Sequence, residues 1–113
     1  MPKLKAMLKQ PGVLAVGRFS RKGLLDDVYG ELSEEDASLA ARMCAANAIA
    51  SGVQGQLLTA LSGREEFVDH VGWTMLGDEL GMVAIEDMFC LIRLREASLA
   101  ETVRIMRQAA GVD

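Results

Sequence analysis

At 113 residues, half of them hydrophobic and a quarter charged, the chain has globular composition and the length of one domain, residues 1–113, too short for two independent cores. Sixteen acidic residues against twelve basic ones give a net charge of −4, and aromatics are only 4%, which argues against a phosphate-backbone binder or a base-stacking platform and takes nucleic acid off the list of expected partners. No run is long or apolar enough for membrane insertion. Lys3, Lys5 and Lys9 lie near the start with only the short apolar pair Met7-Leu8 among them, so no secretory leader is expected and the cytoplasm is the expected compartment.

In chain order, Pro2 suits a first helical turn, and Leu4, Met7 and Leu8 form a short apolar stripe that stops at Gln10-Pro11-Gly12, predicting a brief opening helix. Val13 to Phe19 is rich in strand formers, and Arg21-Lys22-Gly23 offers turn chemistry before Leu24 to Tyr29, so two antiparallel strands are expected. Ser33-Glu34-Glu35-Asp36 reads as a capping box with carboxylates in the first turn, where the helix dipole favours them.

The helix it opens runs to Ser62-Gly63. Ser38, Ala41, Ala45, Ala48, Gly52, Gly55, Thr59 and Ser62 recur at steps of three and four and share one stripe. Leu39, Met43, Ala46, Ala50, Val53, Leu57 and Leu61 gather on roughly the opposite side. The expected geometry sets the bulky face against the protein's own sheet and the small stripe outward, toward another chain. Glycine inside a helix costs about 1 kcal/mol relative to alanine, so Gly52 and Gly55 together forfeit roughly 2 kcal/mol unless close packing restores it. The competing reading is that Ser51 to Gly55 breaks the run into two helices.

Arg64 to His70 is charged enough for a surface connection. A meander follows: Gly72 to Leu76, a turn near Glu79-Leu80-Gly81, Met82 to Ile85, a tight Glu86-Asp87 corner, and Met88 to Leu94. Ser98-Leu99-Ala100-Glu101 forms a second capping box, and Leu99, Val103, Met106 and Ala110 space an amphipathic closing helix. Several strands are apolar at consecutive positions, which places helices on both faces of one antiparallel sheet: an α+β, three-layer α/β/α sandwich with five strands.

Pro11-Gly12-Val13 at the first strand, Gly23 after the first hairpin turn and the long central helix make the chain resemble the roadblock/dynein light chain superfamily over nearly its whole length. Met43-Cys44-Ala45-Ala46-Asn47 is similar to an uncharacterised bacterial subfamily of single-domain roadblock-like proteins. The resemblance implies a roadblock/profilin-like sheet of order 2-1-5-4-3. It also implies a homodimer in which the long helices pack together and the third strands, here Trp73 to Leu76, pair edge to edge. The expected interface is then Ala41, Ala45, Ala48, Gly52, Gly55 and Thr59 on the helix with Trp73 and Met75 on the strand.

Residues that invite chemistry have a plainer reading beside them. Cys44 and Cys90 have neither Cys-x-x-Cys spacing nor a second metal-type ligand pattern, and read as buried small residues. Cys44 is expected near the interface, out of reach of Cys90 in the last strand. A Cys44 nucleophile would need His70, the only histidine, as its base, and no orienting motif joins them. Glu65, Glu66, Asp69 and His70 could cluster around a metal, but on a connecting segment such groups are ordinarily solvated. Asp26 and Asp27, adjacent on a strand, point to opposite sides, poor geometry for an acid/base pair and ordinary for an exposed hairpin. Trp73 reads as core or interface before ligand platform, the seven methionines as adaptable packing, and Gly77 to Gly81 lacks the spacing and lysine of a phosphate loop.

No catalytic, cofactor or metal residues are therefore expected, and the chain reads as a non-enzymatic, homodimeric interaction, scaffold or regulatory module. Its partners are itself and another protein, with Ras-like small GTPases among the classes that roadblock resemblance implies. The competing reading is a small-molecule sensor with its pocket between helix and sheet.

Overall fold

The computed structural model describes residues 2–67 and 72–111. The elements are α1 (Pro2–Ala6) with a 3-10 turn at Met7–Lys9, β1 (Val13–Phe19), β2 (Leu25–Gly30), α2 (Glu34–Ser62), a 3-10 turn at Glu65–Phe67, β3 (Gly72–Leu76), β4 (Leu80–Ile85), β5 (Met88–Arg93) and α3 (Leu99–Ala110). All strand pairs are antiparallel and the order is β2-β1-β5-β4-β3. β4 begins at Leu80 rather than Met82, because the β3–β4 turn is tight: the Gly77 N–H donates to the Leu80 carbonyl at 2.8 Å and Gly81 already pairs with Leu76.

The helix ends are fixed by the side chains that foretold them. The Ser33 hydroxyl accepts from the Asp36 N–H at 3.1 Å and the Ser98 hydroxyl from the Glu101 N–H at 3.2 Å, each satisfying a donor that the first turn leaves open. Gly63 and Gly111 close α2 and α3 at φ 73° and 74°, where glycine carries no Cβ penalty. Between its caps α2 is one continuous helix of 29 residues, about 43 Å long, so Gly52 and Gly55 bend nothing into two.

Strand alternation divides the core into two layers. On one face Val16, Val83, Ile85, Met88, Cys90 and Ile92 pack with Leu4 and Met7 from the N-terminal turn and Met106 of α3. On the other, Phe19 and Phe89 meet Ala41 and Cys44 of α2. This second layer reverses the expected helix orientation. Ala37, Ala41 and Cys44 are wholly buried, while Leu39, Val53, Leu57 and Leu61 are 56%, 56%, 66% and 83% exposed.

The cause is volume. The sheet supplies the large groups beneath α2: the Phe19 and Phe89 rings lie 6.4 Å apart, and Gly17 carries no side chain because a Cβ there would sit 2.2 Å from the Phe89 ring. Interiors are close-packed, so a helix lying over two rings must present small residues. Gly23, at φ +82°, draws the β1–β2 hairpin equally close; a Cβ there would meet the Arg42 Cα at 3.3 Å.

A candidate protein interaction surface

With Ala37, Ala41 and Cys44 turned inward, α2 carries an apolar ridge on its outer side. Stepping from Leu39 through Met43, itself partly buried against the Phe19–Phe89 cluster as expected of it, Ala46, Ala50 and Val53 to Leu57 gives intervals of four, three, four, three and four, the spacing of a coiled-coil seam. Ile49, 74% exposed, widens it. From Ala46 to Ser62 the one buried residue is Gly55, so the second half of α2 receives little support from its own fold. Most helical stability in proteins comes from packing of an apolar face.

The sheet also ends in an open edge, β3. The Gly77–Leu80 hydrogen bond sets the ladder's alternation, which turns the N–H groups of Gly72, Thr74 and Leu76 away from β4. The strand bears no charged residue, and Met75 and Leu76 are 52% and 56% exposed. Such an edge is a ready template for another strand.

The expected interface residues divide accordingly. Ala41 and Gly55 are buried within the chain, Ala45, Gly52, Thr59 and Trp73 are half-buried, and Ala48 and Met75 are exposed. The Thr59 hydroxyl is turned back on its own helix, donating to the Gly55 carbonyl at 2.9 Å. Trp73 packs against the Phe19–Phe89 cluster. Nothing lies within 4 Å of a Cβ built on Gly52. Gly52→Ala is accordingly expected to raise stability by about 0.5–1 kcal/mol in urea denaturation; a loss would mean that a second backbone rests on that position.

The chemical candidates resolve into structure. Cys44 and Cys90 are free and buried, on opposite faces of the sheet, Cys44 with Phe19 and Phe89 and Cys90 with Val16, Val83 and Ile92. Burial pushes both thiols up to about 12, and a protonated thiol is a poor nucleophile. Cys44 is thus a core residue and not an interface neighbour. His70 and Asp69 lie outside the described residues; Arg64 pairs with Glu66, and no metal-type cluster occurs among the described residues. Asp27 proves to be more than hairpin surface: its carboxylate accepts from the Val28 N–H at 3.1 Å and from the Tyr29 hydroxyl at 2.9 Å. That hydrogen bond, with desolvation and the carboxylate charge, raises the Tyr29 pKa.

A cleft of about 680 Å³ opens at one end of the sandwich, where Ala45, Ala48 and Ile49 of α2 face Phe19, Trp73 and Ala84, with Arg21, Glu86 and Asp87 also lining it. No helix among the described residues is long and apolar enough to cross a membrane.

The same architecture occurs in solved structures of low identity. MglB from Myxococcus xanthus superposes with a TM-score of 0.72 at 19% identity, over 98% of this chain and 88% of that one. The gliding protein MglB from Thermus thermophilus gives 0.79 at 18%, over 98% and 82%. A Roadblock/LC7 domain from Streptomyces avermitilis gives 0.72 at 14%, over 96% and 89%. The shared fold is the roadblock sandwich that the sequence resembles. No protein of curated function matches the sequence. Residues 3–108 match the model of the family described as Uncharacterized conserved protein (DUF2173), and the chain belongs to that family.

Proposed function

We propose that this chain is a non-enzymatic interaction module that works as a homodimer, and that the dimer is a platform for another protein, the Ras-like small GTPases being the partner class to which roadblock resemblance points. The observation that carries this reading is the exposed apolar ridge of α2 together with an open, uncharged β3 edge. Pairing β3 with its copy about a two-fold axis would join two sheets into one and set both α2 helices on the same face. Leu39, Ala46, Val53 and Leu57 would then supply the helix contacts and Met75 a strand contact, while Ala41 and Gly55 stay inside each fold and Ala48, on the side of α2 opposite Leu39 and Leu57, lines the cleft with Trp73. The two wholly buried thiols fit a module without catalysis of its own.

Leu57→Glu tests the reading, since it would bury an unpaired carboxylate in the seam and is expected to weaken self-association on the order of a hundredfold, or about 3 kcal/mol. Its circular dichroism is expected to stay helical, because Leu57 is 66% exposed in the single chain. A Ras-like GTPase from the native cell, loaded with a GTP analogue, is expected to bind the unmodified chain and not this variant in calorimetric titration. Retention of the dimer by folded Leu57→Glu would remove the seam from the interface.

The cleft beside Trp73 favours a second reading, the small-molecule sensor. That reading expects a monomer whose melting temperature rises with a bound metabolite.

A further inference from the structure

We infer that Asp27 closes the β2 edge of the sheet against strand addition by a second copy of this chain, leaving β3 as the one edge open to pairing. This goes beyond the proposed dimer because it concerns the opposite side of the sheet. A five-stranded open sheet has two edges, here β2 and β3, and a protein able to pair through both would propagate without closing.

The β2 edge is treated quite differently from β3. The Glu31 N–H donates to the Leu14 carbonyl, and counting back by the two-residue alternation of an antiparallel ladder turns the Val28 N–H outward. An incoming strand would need that donor. Asp27 Oδ1 already accepts from it at 3.1 Å. The other carboxylate oxygen accepts from the Tyr29 hydroxyl at 2.9 Å, which holds the group in place, and the Lys5 ammonium lies 5.9 Å from the centre of the Tyr29 ring.

Two further features act in the same direction. Arg18 pairs with Asp27 but Phe19 pairs with Leu25, so Asp26 is an extra residue on the edge; such a bulge bends the strand and disrupts further pairing. Asp26, Asp27 and Glu31 crowd the β2 edge with carboxylates, and a second β2 laid beside the first would bring like charges together. Gly72 to Leu76 of β3 has neither a bulge in its pairing with β4 nor a charge.

The test is the mass of Asp27→Ala by light scattering across a concentration series, beside the unmodified chain. The variant is expected to grow with concentration into species larger than the unmodified chain, whose mass stays constant. Asp27→Val, which favours a strand and offers no acceptor, serves should Asp27→Ala fail to fold. In the unmodified protein, the Val28 amide is expected to exchange with deuterium about tenfold or more slower than in an unstructured peptide. The inference is overturned by a folded variant that keeps the mass of the unmodified chain, or by a Val28 amide exchanging at the unstructured rate. An unmodified chain that proves monomeric would count against the β3 dimer alone; Asp27→Ala would still be expected to associate.

Discussion

Thr74→Pro is expected to convert the proposed dimer into a folded monomer. The Thr74 N–H is directed away from β4 by the ladder alternation fixed at Gly77 and Leu80, so its loss removes no hydrogen bond within the chain. Proline is tolerated on an edge strand in that orientation. Across a two-fold axis the same N–H would be a donor to the partner strand, and the substitution takes effect in both copies. Two lost main-chain hydrogen bonds at about 0.5–1.5 kcal/mol each, with the ring intruding on the approaching strand, weaken association by roughly tenfold to a hundredfold or more. Sedimentation at micromolar concentration reads the change, and a retained native circular dichroism spectrum with a cooperative melt separates it from misfolding, the melting temperature itself falling as the dimer is lost. If Thr74→Pro remains dimeric, β3 is not the pairing edge.

Phe89→Ala is expected to bring the domain to the edge of unfolding. Its ring is wholly buried between Phe19, the glycine gap at Gly17 and the small residues of α2. Ala41 and Cys44 are too small to refill the space, so much of the cavity would persist, at a cost of about 3–5 kcal/mol. Total stabilities of such domains are about 5–15 kcal/mol. Urea denaturation measures the loss, and a change below about 1 kcal/mol would mean that α2 does not rest on this ring. Phe89→Leu, which keeps more of the volume, is expected to lose much less.

The sequence carried the architecture well because its signals are local. Ser33 and Ser98 with a carboxylate three residues on, Gly63 at the end of α2, and the Glu86-Asp87 corner each act within a few residues, and each does in the structure what its pattern implies. The orientation of α2 was not local. Both of its faces are apolar, one small and one large, and which of them meets the sheet depends on the sheet's own side chains. The deciding residues are Gly17, Phe19 and Phe89, far from α2 in sequence but beneath it in space. The spacing of three and four is common to both faces and could not choose between them; the signal that did was the pair of rings that already fill the α2 face of the sheet. Asp27 was read as surface for a similar reason, since its role depends on β2 lying at an edge, which only the strand order reveals.

In the proposed dimer a second copy of the chain covers both the outward ridge of α2 and the free edge of β3. Sedimentation equilibrium of the unmodified protein at micromolar concentration tests this most directly. A species of twice the 12.2 kDa chain mass is expected; a single-chain mass at every concentration would contradict the dimer.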